Sequence, residues 1–316
     1  MILHTHNVLF RQVIANTAAT YGLEEFQVEK DYFVSVLLKK IAEVSPDIVF
    51  KGGTSLSKCY DVINRFSEDI DLTINIGDDR DKVTTPEKER LKKNILRAIN
   101  DVGMKFVNNE LNPPVVNGSR RDFNQYFVEY SKCCNGEVHM MEHIIVETNV
   151  TYKPFPCDTL EVSNYITKYL FAAKETDILE EFDLFPYPIK VQKIDRTFID
   201  KIFAICDYHE QGTYDRYSRH VYDIHKIWVN RLVDIETLKS LLPDIIDVRK
   251  NGKNTYSCQD GYELVKKLEE IITSQVYKED YDTNTKEFLT EEVSYEDAIS
   301  SLKLILESGF LPQKIT

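Results

Sequence analysis

The segment 69-DIDLTINI-76 alternates acids and small polar residues with branched apolar ones, a pattern that fits a strand far better than a helix. Residues two apart in a strand share a face, so Asp69 and Asp71 project to one side and Ile70 and Leu72 to the other. Their Cα atoms then stand about 6.7 Å apart. If the carboxylate heads converge to about 4 Å, repulsion costs roughly 4 kcal/mol at an effective dielectric of about 20. One way to accommodate the pair is an exposed edge strand with both acids in solvent. The other is a bound cation, and the residues just upstream favour it.

Those residues are 47-DIVF-50, a short strand, and 52-GGTS-55, which opens a helix expected over 54–64. A strand that turns through glycines into a helix presents backbone N–H groups and the helix dipole to an anion. Hard cations take oxygen ligands, and Mg2+ commonly bridges one or two carboxylates to substrate phosphates. A phosphate seat is thus followed, some fifteen residues on, by a magnesium seat. Two-metal phosphoryl chemistry uses a third acid. Glu147 is the candidate, set among Ile144, Ile145, Val146 and Val150 where an unpaired acid is costly. A salt bridge from Glu147 to a lysine is the competing explanation.

Helices are expected at 6–21, 26–43 and 86–102, the last opened by Pro86 and closed by Gly103. Two β-rich runs follow, 122–130 and 143–152, joined through the hairpin signal Asn135-Gly136. From Ser163 the chain reads as mostly helical, interrupted by 184-LFPYPIKVQ-192. Asp195 is the expected N-cap of a helix over 196–210 that Gly212 ends, and a further helix runs from Arg216 to Arg231. Strands interleaved with helices, then a helical bundle, make an α+β fold with a division near 153–162, around Pro154 and Pro156.

The charge balance is acidic, with a net charge of −13, which argues against a general nucleic-acid coat. Positive charge gathers in the middle third: eight Lys/Arg against six acids from Lys190 to Arg231. Arg216, Arg219, Lys226 and Arg231 lie on or near one helix, the expected track for an RNA phosphate backbone, to which Arg120 and Arg121 add. Residues 278–297 hold eight acids and two lysines. The six cysteines show no CxxC, which fits reduced thiols in the cytoplasm. No apolar run approaches a membrane span, and the N-terminal residues carry no secretory signal pattern. His139-Met-Met-Glu142-His143 matches the H-x-x-E-H spacing of some zinc peptidases, but 143-HIIVETNV-150 reads as strand and denies the histidines a shared helix face.

The blocks KGGTSLSK and RFSEDIDL, preceded by 28-VEKDYFV-34, resemble the nucleotidyltransferase family of the AbiEii/AbiGii abortive-infection toxins, within the polymerase-β-like nucleotidyltransferase superfamily. The resemblance continues through 196-RTFIDKIFAI-205 and 219-RHVYDI-224, covering roughly residues 25–230. The gap between the glycine turn and the DxD pair is slightly longer than in the superfamily at large. Beyond about 235 no family signal is visible.

That resemblance implies a nucleotidyltransferase domain over 1–155, a small mixed sheet flanked by helices, and a mainly helical domain over 156–316. It implies an NTP substrate with Mg2+, or Mn2+ in its place, and metal-ligand positions at Asp69 and Asp71, with Glu147 as third acid. Gly52, Gly53, Thr54 and Ser55 take the triphosphate turn, Lys201 and Asp223 the downstream lysine and aspartate, and Arg219 joins the nucleotide-binding set. The acceptor it suggests is RNA such as a tRNA 3′ end, with the chain acting as a toxin silenced by a cognate antitoxin. Two other readings stand beside it: transfer onto a small molecule or a protein, which the acidic composition suits for cationic drugs, and a non-catalytic nucleotide-binding module.

Overall fold

Alternation in the strand segments resolves into one mixed seven-stranded sheet in the structure, a computed structural model. The structure describes residues 1–67, 69–77, 80, 82–107, 122–134, 143–252 and 254–316. The strands are β1 (Ile48–Lys51), β2 (Asp69–Ile74), β3 (Lys105–Val107), β4 (Phe123–Glu129), β5 (Ile144–Asn149), β6 (Cys157–Val162) and β7 (Tyr187–Gln192). Their order is β3-β4-β5-β2-β1-β7-β6. β2 pairs antiparallel with β1 and parallel with β5, so it is an interior strand and not an exposed edge. The Asn135-Gly136 turn lies outside the described residues, as do His139 and Glu142.

The chain divides into two compact units. The first comprises Met1–Cys59 and Ser67–Val191, the second Tyr60–Phe66 and Gln192–Thr316. This division differs from the one expected near 155. The segment 184–192, read as an interruption, is strand β7, whose Val191 pairs with Phe50 of β1 in parallel register. Hydrogen bonding to the sheet keeps the stretch after 155 with the first unit, although two prolines hid the strand.

In the first unit, α1 (Asn7–Tyr21), α2 (Glu25–Val44), α4 (Thr85–Asp101), α5 (Tyr165–Ala173) and α6 (Thr176–Glu181) share the apolar core with one face of the sheet. Ile70, Leu72 and Ile74 of β2 are on that face and at most 2% exposed. Capping boxes start two of these helices: Glu24 with Gln27 for α2, and Thr84 with Glu87 for α4. The helix α3 spans Gly52–Lys58, shorter than the expected 54–64. Its last residue, Lys58, is buried and donates to the Asp31 carboxylate and to Ser35 Oγ at 2.8 Å. Asp31 also accepts the Tyr165 amide at 2.9 Å, so one buried acid ties α2, α3 and the start of α5 together.

In the second unit, α7 (Ile194–Glu210), α8 (Arg219–Val229), α9 (Ile235–Lys250), α10 (Leu264–Ser274), α11 (Lys278–Asp280) and α12 (Tyr295–Glu307) form the helical part. Lys193, not Asp195, is the N-cap of α7, and no side chain caps it. Gly212 does end it, at φ +63°. α8 begins at Arg219 because Arg216 sits at φ +65°, while Asp280 accepts the amides of Arg216 (2.7 Å) and Ser218 (2.9 Å). The segment 60–66 is stitched into this unit: Phe66 N–H donates to Phe288 O, Thr290 N–H to Asn64 O, and Arg65 bridges Leu289. Residues after 235, silent in the sequence, therefore brace the site-bearing helix and the segment around Arg65.

Candidate active site

The acids of β2 meet those of its neighbour in register. Asp71 is the Cα partner of Glu147 on β5 and of Lys51 on β1, and Glu147 is in turn the partner of Gln125 on β4. Lys51, Asp71, Glu147 and Gln125 thus form one polar row across four strands. Asp69 and Ile145 occupy the adjacent row on the same face. Asp69, Asp71 and Glu147 are all half-buried. Burial, then the nearby Asp71 charge and more weakly Asp69, pushes the Glu147 carboxyl up to about 7, against Gln125 and Lys51, which act to lower it. Gln125 Nε2 donates to Glu147 Oε1 at 2.6 Å.

The glycines explain themselves at Gly52. Its φ is +77°, and a Cβ added there would lie 2.1 Å from Asp71 Oδ2. Glycine therefore lets the Asp71 carboxylate rest against the backbone where β1 becomes α3. The hydroxyls that follow are spent inside the fold. Thr54 Oγ1 donates to the Asp69 carbonyl at 2.5 Å and lies 2.8 Å from Ser67 Oγ, while Ser55 Oγ donates to the Gly52 carbonyl at 2.8 Å. Both residues are at most 1% exposed, and in this arrangement their hydroxyls brace the turn. Gly53 lies in the first turn of α3.

In the second unit, Lys201 on α7 and Asp223 on α8 form a 2.7 Å ion pair, with Asp223 fully buried and Lys201 5% exposed. Asp223 therefore faces the interior of this unit. Asp223 has a second cation: Arg65 grips both its oxygens, Nε to Oδ1 at 2.7 Å and Nη2 to Oδ2 at 2.8 Å. The two cations hold the Asp223 carboxyl below the usual carboxylate range despite its burial. Burial draws the Lys201 ammonium down, with Asp223 opposing the shift. His220 Nδ1 is 3.3 Å from Lys201 Nζ, and burial together with that neighbouring charge keeps the imidazole neutral. Arg219, half-buried at the start of α8, adds positive potential to Lys201 and His220.

The charge track expected along α8 is less open than the sequence implies. Lys226 pairs with Glu291 at 2.7 Å, and Glu291 also accepts the Tyr222 hydroxyl at 2.6 Å. Arg120 and Arg121, the other basic residues suggested for RNA, lie outside the described residues.

One further group has metal-ligand chemistry. Among the described residues, Glu29, Cys133 and Cys134 bring three ligand-type atoms within 4.8 Å of one another, which the three acids of the sheet do not. Glu29 already accepts the amides of Cys133 (2.6 Å) and Cys134 (3.2 Å), and burial and the Glu29 charge raise both thiols. That arrangement is accounted for by a buried acid holding a turn. The sheet acids, with a carboxyl raised to about 7 and a glycine cradle beside Asp71, fit a divalent cation better.

A sequence model of the nucleotidyl transferase AbiEii toxins, described as type IV TA (toxin–antitoxin) systems, matches residues 36–304. The chain belongs to the AbiEii family. The AbiEii match begins after 28–34 and runs well past 235, so the C-terminal helices are part of the family's extent and not an appendage. Among solved structures, the chain is similar to MenT4, a nucleotidyltransferase toxin from Mycobacterium tuberculosis H37Rv, at 16% identity and a TM-score of 0.48, over 91% of this chain and 82% of that one. No curated protein matches. Among the described residues no helix is long and apolar enough to cross a membrane.

Sequence reasoning picked out Asp69, Asp71, Glu147, Lys201 and Asp223 but missed Lys51, Gln125, Lys58 and Arg65. Lys51 and Lys58 flank the GGTS turn, and Arg65 stands four residues before the DxD pair, so proximity to the motif was the available signal. Gln125 had none before the register was known.

Proposed function

We propose that this AbiEii-family protein moves an NMP from an NTP onto an acceptor hydroxyl, with Mg2+, or Mn2+ in its place, held by Asp69, Asp71 and Glu147. The observation that carries this reading is the register of Asp71 against Glu147, where burial first and the Asp71 charge second raise the Glu147 carboxyl to about 7. A divalent cation bound there supplies activation of the acceptor hydroxyl and stabilisation of the departing pyrophosphate. Gly52 keeps Asp71 against the backbone, and Gly52, Gly53, Thr54 and Ser55 form the nucleotide turn, contacting phosphate through backbone amides. Lys201 and Arg219 supply positive charge to the triphosphate, and Asp223 orients Lys201.

The acceptor we favour is RNA, such as a tRNA 3′ end, modified in the cytoplasm by a toxin under control of a cognate antitoxin. The family's toxin description supports that role. A small cationic or protein acceptor is the second reading, favoured by the net charge of −13 and by the Lys226–Glu291 pair, which removes one cation from the expected RNA track. The test is incubation with each α-labelled NTP, with Mg2+ or with EDTA, against total RNA and against aminoglycosides, using Asp71→Asn as control. Label on RNA that needs both the cation and Asp71 supports the first reading. Label on the drug or on protein alone supports the second, and no label on any acceptor overturns both.

A further inference from the structure

We infer that Arg65 is a positioning residue that neutralises Asp223, leaving the Lys201 ammonium as an uncompensated buried charge that seats the triphosphate. The inference rests on the nucleotide-binding reading of Lys201 and adds to it a residue and a charge mechanism. Arg65 is 6% exposed and each of its three nitrogens already donates: Nε and Nη2 hold the two oxygens of Asp223, and Nη1 donates to the Phe66 carbonyl at 3.2 Å. A guanidinium committed this way cannot reach a phosphate. It can, however, cancel an anion, and bidentate pairing is the strongest way to do so.

The charges then do not balance. Among the described residues, Arg65 and Lys201 are two cations against the anion Asp223, all at most 6% exposed, with half-buried Arg219 adding to the positive side and His220 held neutral beside them. Glu291, an acid elsewhere on this unit, is already paired with Lys226. A buried excess of one positive charge is costly unless an anion joins it. Without Arg65, the same pocket would hold a balanced Lys201–Asp223 pair with little pull on phosphate. With it, Asp223 fixes where Lys201 points without consuming its charge.

The prediction is one of charge arithmetic, and it is read by binding of Mg2+–tripolyphosphate, an inorganic probe that carries no base or acceptor. Arg65→Gln removes one of the cluster's positive charges and should weaken binding by about tenfold or more, the scale of one charge-assisted contact. Arg65→Gln with Asp223→Asn returns the excess charge and should recover most of that loss. Arg65→Lys keeps the charge, loses the fork, and should bind close to the unmodified protein while melting lower. A purely structural Arg65 makes the double variant worse than the single one, which overturns the inference. Equal binding by Arg65→Gln and the unmodified protein also overturns it, and so does the absence of any tripolyphosphate binding by the unmodified protein. If Arg65→Gln does not fold, Asp223→Asn alone decides: tighter tripolyphosphate binding supports the inference and unchanged binding overturns it. Absence of nucleotidyl transfer with the binding pattern intact would sink the transferase reading and leave this one standing.

Discussion

Asp71 of β2 and Glu147 of β5 are direct partners on adjacent parallel strands, and Lys51 and Gln125 extend their row to either side. The row places two like charges side by side with one cation and one amide to temper them. One cation and one amide leave the pair under-compensated, and burial, with the Asp71 charge added to it, raises the Glu147 carboxyl. The stability of the protein should therefore depend on pH and on cation in linked ways.

In EDTA, Glu147 takes up its proton near pH 7 when folded and near its ordinary value of 4.5 when unfolded. The folded state holds that proton more tightly, so stability falls as pH rises from about 4.5 to 7 and then levels. The loss is about 3 kcal/mol at most. Glu147→Gln should melt close to the unmodified protein at pH 4.5 and clearly above it at pH 8. Added Mg2+ should raise the melting temperature of the unmodified protein at pH 8 and do so less for Glu147→Gln. Calorimetric scans at the two pH values check both, and equal melting temperatures at pH 8 would remove the strain assigned to this row.

Asp69→Asn and Asp71→Asn each delete one of the crowded charges. Nucleotidyl transfer should disappear, while the melting temperature in EDTA stays unchanged or rises. A variant that transfers at the unmodified rate under saturating Mg2+ contradicts the metal assignment. One that loses transfer together with a large drop in stability points to a structural acid instead.

Gly52→Ala tests the cradle. The new methyl group would meet the Asp71 carboxylate at 2.1 Å from a backbone at φ +77°. The positive φ and the displaced carboxylate together should cost about 2–4 kcal/mol, with transfer lost because Asp71 no longer lies where the turn puts it. Denaturant unfolding gives the first number. Gly53→Ala, outside the positive-φ set, serves as comparison and should cost less.

What could be read from the sequence was what is local. The alternation around Asp69 and Asp71 and the glycines before them depend on neighbours in the chain, and both appear as expected. Glu147 was found because a lone acid in a β-branched run is conspicuous, although its partner Asp71 could not be known without register. β7 was missed because Pro186 and Pro188 read as a break, whereas the strand pairs with β1 at Val191, beyond the prolines. Arg65 was missed for a plainer reason. Its partner Asp223 lies 158 residues away, and no local pattern announces a pair at that separation. The helix at 52–58 ends before 64 because the chain turns at Asp61, which sits at φ +52°, and no spacing in the sequence signals that turn.

The charge distribution nominates Lys226 for RNA, and the structure pairs it with Glu291 at 2.7 Å, their side chains 13% and 26% exposed. Lys226→Glu confounds two effects, because it sets two carboxylates against each other and also unsettles Glu291, which braces Tyr222 and Asn64. A destabilisation of about 1–2 kcal/mol is expected from the broken, partly buried pair. The charge swap Lys226→Glu with Glu291→Lys restores the pair with its poles reversed and should recover most of that stability. RNA labelling is then measured in the swapped protein at low and at raised salt. A track that uses Lys226 loses a positive contact in the single variant and keeps a displaced one in the swap, so labelling follows charge and its salt dependence becomes shallower in the single variant. If labelling instead tracks the melting temperature across the three proteins, Lys226 belongs to the scaffold of α8 and the acceptor approaches elsewhere.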